Sequence, residues 1–155
     1  MNTLNIILIV AAVLSGLAAW LGIRSVFAND GRSRWTMFLI ALSFVAQMYA
    51  LGLRGERRGS CPLSDTGEIL IFLAWSLSIF YLLVGATYRV SLLGVFTAPV
   101  MTVMLGIAAV PGVLSSSPEK AQSVDYWGEM HAALSVLSYG ALALGAVAAV
   151  MFLVL

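Results

Sequence analysis

Five apolar runs, each near the length needed to cross a bilayer, limit what this chain can become more than anything else in it. A hydrocarbon layer of ~30 Å takes about 20 residues of helix at 1.5 Å per residue. Such runs cover about residues 4–27, 35–53, 68–88, 92–114 and 130–155. Lipid has nothing to offer a bare N–H or C=O, so a spanning segment must satisfy its own backbone as a helix or join a closed barrel. Barrel strands alternate apolar and polar residues with period two, and none of these runs does. The expected fold is therefore all-α, a polytopic membrane bundle of about five transmembrane helices. Residues 1–155 read as a single transmembrane domain, without a fixed-period repeat or a linker long enough to separate a pair of domains. Eight Lys/Arg against seven Asp/Glu are scattered over short loops. That leaves no basic surface for nucleic acid and makes the lipid bilayer the first expected partner.

The spans also carry signs of packing against protein. Ala11, Ser15, Ala18 and Gly22 recur every three to four residues in the first run, a small-residue stripe that lets another backbone come close. No Lys or Arg precedes Leu4 and the run outlasts a secretory signal core, so it is expected to remain as a span. Pro99 removes one ladder hydrogen bond inside the fourth run, with Thr97 and Thr102 nearby as expected repairs. Loop charge does not orient the bundle. With the N-terminus outside, Arg24, Arg32, Arg34 and Arg89 lie inside, against Arg54, Arg57, Arg58 and Lys120 outside.

Reactive chemistry is sparse. The chain has no Ser/His/Asp set, glycine-rich phosphate loop or Cys/His zinc spacing, and no paired carboxylates at a span centre. A self-contained enzyme is not expected. Cys61 is the only cysteine and has no intrachain partner to oxidise with. Glu68 falls in the first turn of the third span, where helix N–H groups favour a carboxylate and "SDTGE" supplies caps. Arg89 is expected to snorkel from a helix end into the headgroups. His131, the only histidine, opens the fifth span, and Ser135, Ser138, Leu142 and Gly145 continue its face. Two readings stand on residue chemistry alone. The imidazole offers a ring nitrogen to a metal, or it lies at an interface above a stripe that receives another helix. Tyr126 and Trp127 fit an aromatic belt under either reading.

Two stretches carry a family resemblance. "GSCPLSDTGEILIFLAWSLSIFY", Gly59 to Tyr81, and "WGEMHAALSVLSYGALALGAVAAVMFLVL", Trp127 to Leu155, resemble in order two motifs of the CcsA/ResC-type cytochrome c biogenesis proteins, which handle haem. The resemblance implies that His131 is the first of two outward-facing axial ligands for haem iron, bound non-covalently as in a b-type centre. It further implies that Pro62, Leu63, Ser64, Glu68, Phe72 and Trp75 lie beside the haem-handling half of the bundle, with Trp127 next to the ligand. The N-terminus is then outside and the C-terminus inside, in a bacterial inner membrane or an equivalent energy-transducing membrane. Under that topology Arg54, Arg57 and Arg58 face outward, where guanidinium suits haem propionates. The family's tryptophan-rich segment and second axial histidine fall beyond the matched stretch, and Ser60 stands where some relatives have a histidine. A hexacoordinate iron needs two axial groups and one imidazole supplies one, so the missing half of the site, from a second membrane subunit, another copy or the C-terminal half of a longer natural chain, is the expected partner beside apocytochrome c. HemX-type proteins, linked to control of haem biosynthesis, share similar helices, and a cofactor-free scaffold subunit is the remaining alternative.

Overall fold

A computed structural model describes residues 3–27, 34–88, 91–114 and 125–154. Its helices are α1 (Thr3–Phe27), α2 (Arg34–Arg58), α3 (Thr66–Tyr88), α4 (Ser91–Ala108) and α5 (Tyr126–Val154), and the described residues form no β-strand. Four of them, α1, α2, α3 and α5, are long and apolar enough to cross a membrane, and α4 is a shorter apolar helix. α1 packs on α2 and α4, and α3 closes the ring by packing on the same two. α5 lies outside this ring, against α3 and more lightly against α4. Arg89 and the loop segments 28–33 and 115–124 lie outside the described residues.

The stripe on α1 is buried throughout: Ala11, Ser15, Ala18 and Gly22 all face the ring. Small side chains let helices approach where lipid gives no hydrophobic drive, and dispersion and hydrogen bonds then hold them. Ser43 on α2 donates to the Ala11 carbonyl at 2.9 Å, and Thr102 Oγ1 on α4 lies 3.1 Å from Ser15 Oγ. α5 is held differently, with only Gly140 and Leu144 buried. Gly140 meets Ser76 of α3 so closely that a Cβ there would overlap its hydroxyl.

Three boundaries differ from the apolar runs, each for a local reason. α2 continues past Leu53 through Arg58 and stops where Gly59, at φ 74°, donates its N–H to the Gly55 carbonyl at 2.8 Å. That is a left-handed glycine C-cap. α3 begins earlier, at Thr66, because Asp65 caps it: Oδ1 accepts the Gly67 N–H at 2.9 Å and its carbonyl accepts Ile69 N–H at 3.0 Å. α4 stops at Ala108 instead of running to Leu114. Pro111 lacks an N–H and Gly112 takes φ 93°, so the chain turns back and Val113 accepts the Gly67 N–H at 3.3 Å. Gly67 permits this contact, since a Cβ would sit 3.0 Å from Leu114 Cα. Pro99 lies within α4. Thr97 and Thr102 donate to the Leu93 and Ala98 carbonyls, each four residues back. The carbonyl freed by a proline at 99 is that of Val95, so neither hydroxyl makes the expected repair.

Candidate functional site

The ends of α2 and α4 and the starts of α3 and α5 meet at one end of the bundle, where Arg54, Arg58, Asp65 and Glu68 form one linked set. Arg54 is 1% exposed and Glu68 0%, and their ion pair is close, with Nη2 2.6 Å and Nε 2.7 Å from Glu68 Oε1. Arg54 Nη2 is also 3.3 Å from Asp65 Oδ2. The second Glu68 oxygen accepts the Ser64 N–H at 3.1 Å and faces Arg58 Nη1 at 3.7 Å. Arg58 in turn donates from Nε to Ser60 Oγ at 2.7 Å. Burying such charges is tolerable only when counter-charges and hydrogen bonds meet them, and the α2–α3 loop folds to bring Asp65 and the Ser64 N–H to this pair.

Sequence reasoning placed Glu68 as a helix-start carboxylate and Arg54 as a propionate partner. The structure joins the two. Arg54 is enclosed and engaged by carboxylates of its own chain, whereas Arg57 is exposed and Arg58 partly so. The pairing had one legible signal, an arginine at the end of one span and a glutamate at the start of the next, on adjacent antiparallel helices.

A second link ties α5 to this corner. Glu129, in its first turn, accepts the Cys61 backbone N–H at 3.1 Å across 68 residues of sequence. Between the loop and α5 opens a cleft of about 390 Å³, whose lining includes Arg58, Ser60, Cys61, Asp125 and Glu129. His131 lies one helical turn below its Gly128 wall. Its imidazole is exposed, and no hydrogen bond or ion pair to a described residue engages it; only its carbonyl is used, by Ser135 Oγ at 2.8 Å. Tyr126 and Trp127 beside it are 79% and 78% exposed. Trp75 is elsewhere. It stacks on Phe44 of α2 at 5.6 Å and tilts against Phe72 at 5.4 Å, and α2 and α5 do not pack on one another. No three metal-ligating side chains cluster among the described residues.

The Cys61 thiol lies in the loop outside the helices. Burial pushes its pKa up, the Glu129 and Glu68 carboxylates push it the same way, and Arg58 offsets them to a degree. A raised pKa means less thiolate, the reactive form, at neutral pH. Alkylation of Cys61 by iodoacetamide at pH 8 in detergent is therefore expected to run several-fold slower than that of a free thiol. Glu129→Gln removes one carboxylate charge and should speed it. Equal rates in the two proteins would contradict the role given to Glu129.

Fold and site together define an integral membrane protein: apolar helices in a bundle, with buried charge, a thiol and one accessible imidazole gathered at a single end. The family described as cytochrome C assembly protein matches residues 63–155, more than half of the sequence, and the chain belongs to that family. It is 33% identical to the cytochrome c biogenesis protein CcsA of Crocosphaera subtropica over 118 residues, which is 74% of this chain and 35% of that protein. With the CcsA of Chlorella vulgaris it shares 31% identity over 157 residues, 99% of this chain and 48% of the relative. With that of Ranunculus macranthus it shares 35% over 134 residues, 84% and 42%. The chain thus spans about a third to a half of the length of these relatives. No solved structure matches it.

Proposed function

We propose that this chain is a membrane component of cytochrome c assembly that presents haem at the outer face of an energy-transducing membrane, with His131 as one axial ligand. The observation that carries the reading is the exposed, unengaged imidazole in the first turn of α5, within a chain whose relatives are named for cytochrome c biogenesis. The residues fit that group: a ring nitrogen free to coordinate iron, exposed Tyr126 and Trp127 beside it, and cationic Arg57 and Arg58 at the same end of the bundle. Haem would supply the vinyl groups that apocytochrome thiols attack. The protein's own contribution is placement, with helix α5 fixing the height of the imidazole and Glu129 holding that helix start to the loop at Cys61. Arg57, and Arg58 beyond its pairing with Glu68, would meet the propionates, while Arg54 serves the fold.

Because the α2–α3 loop and the start of α5 share one end of the bundle, the arginines and His131 face the same side, which the proposal takes as the outside, with the C-terminus inside. A single imidazole leaves one axial position for a histidine from a further segment or subunit. The test is a visible spectrum of the protein purified with its native partners. His131→Gly should lose or shift the Soret band, and imidazole in the buffer should restore it. Arg57→Gln should lower haem retention without moving the band. Haem content and spectrum unchanged in His131→Gly would leave the chain as a scaffold subunit.

A further inference from the structure

Two buried polar atoms on the seam between α2 and α3 have no partner, Gln47 Oε1 and Trp75 Nε1. Gln47 is 0% exposed, and its neighbours fix how its amide points. Ser43 donates its hydroxyl to the Ala11 carbonyl and Ser78 donates to the Ala74 carbonyl at 2.7 Å, so both oxygens are left to accept. The Gln47 amide nitrogen donates to them, at 3.0 and 3.5 Å. That arrangement uses the NH₂ and leaves the amide oxygen as a pure acceptor without a donor. Trp75 has the opposite need, because an indole N–H can only donate.

The two needs coincide in space. α2 and α3 run antiparallel and are joined at Arg54 and Glu68. Two turns back along α2 from Arg54 stands Gln47, and two turns forward along α3 from Glu68 stands Trp75. Side-chain contacts agree with this register: Phe44, one turn from Gln47, stacks on Trp75, and Ser78, one turn from Trp75, receives the Gln47 amide. An acceptor and a donor thus share one level of one seam, in a bundle whose lipid surroundings cannot supply either partner.

We propose that one water molecule bridges them, donating to Gln47 Oε1 and accepting from Trp75 Nε1. The bridging group must donate and accept at once, and both atoms are sealed from the surface, which restricts it to a small molecule of water's chemistry. The bridge ties α2 to α3 in the interior as the Arg54–Glu68 pair ties them at the end. It goes beyond the haem reading and stands without it.

The experiment is nuclear magnetic resonance of the full chain in nanodiscs with ¹⁵N-labelled tryptophan, the Trp75 indole resonance being assigned by its disappearance in Trp75→Phe. A rotating-frame cross-peak between the Trp75 indole proton and water is expected, and Gln47→Leu should abolish it and shift the indole resonance upfield. An indole proton without a water cross-peak overturns the proposal, as does a cross-peak indifferent to Gln47→Leu in a folded variant. Should Gln47→Leu not fold, the unsubstituted protein decides alone.

Discussion

Replacing Arg54 with methionine should destabilise the bundle by about 3–5 kcal/mol, the cost of leaving a buried charge without its counter-ion. Glu68 is fully buried, and Arg54 meets one of its carboxylate oxygens through two N–H groups. Methionine fills much of the arginine volume and supplies no charge, so the loss isolates electrostatics from packing. Arg58, 3.7 Å from the other Glu68 oxygen and held by Ser60 through Nε, offsets that charge only in part. Glu68→Gln should cost less, since Asp65 at 3.3 Å still faces Arg54 and the amide oxygen still accepts the Ser64 N–H. The double variant Arg54→Met with Glu68→Leu should recover much of the loss, because two apolar side chains remove the uncompensated charge along with the pair. Denaturant titration in mixed micelles gives all three values. A loss under about 1 kcal/mol for Arg54→Met would mean that the pair is hydrated and weak, as exposed pairs are.

The second large effect is expected at Gly140. A Cβ there would overlap Ser76 Oγ and stand 2.7 Å from Ser76 Cβ. Rotating the serine hydroxyl away would not suffice, because the Ser76 carbonyl carbon is only 3.0 Å from the same point. Alanine normally improves a helix by about 1 kcal/mol over glycine. At this position the α3–α5 approach should reverse that sign, with a net loss of about 1–3 kcal/mol for Gly140→Ala and more for Gly140→Leu. Only Gly140 and Leu144 of α5 are buried, so pushing the helix off here removes most of its seat. Gly145→Ala is the internal control: nothing lies within 4 Å of its Cβ position, and it should be neutral or stabilising. Spin labels on α3 and α5 should report a longer distance in Gly140→Leu and the original distance in Gly145→Ala. An unchanged distance in Gly140→Leu would contradict the close packing of these helices.

Much of this architecture was legible because lipid imposes a simple rule. Apolar runs of spanning length have to be helices, and the stripe from Ala11 to Gly22 is buried as small-residue spacing implies. What failed were the ends of α2 and α4. Hydropathy reads "RGERR" as loop because it treats each arginine as if it faced solvent, whereas Arg54 is neutralised by a glutamate fourteen residues later that only the folded loop brings near. "VPGVL" reads as apolar span although its proline and glycine turn the chain. In the candidate site, His131 and Trp127 stood out as rare residues at a polar-to-apolar boundary, and both are exposed there. The task of Glu129 was not legible, since its bond to the Cys61 N–H spans 68 residues and carries no local signature. Trp75 was placed beside the haem-handling half only by the family resemblance, and its ring lies in the α2–α3 seam, stacked on Phe44.

The central claim is a bond between His131 and haem iron, and the chain suits a direct measurement because it contains a single histidine. Incorporating ¹⁵N-histidine into residues 1–155 alone, joined with unlabelled partners and loaded with ferric haem, confines the label to one imidazole. Pulsed electron paramagnetic resonance should then detect a strong ¹⁵N hyperfine coupling from a directly coordinated nitrogen, replacing the ¹⁴N signal of the unlabelled sample. Haem-loaded complex whose spectrum is identical with and without the label would show that the iron takes its ligands elsewhere.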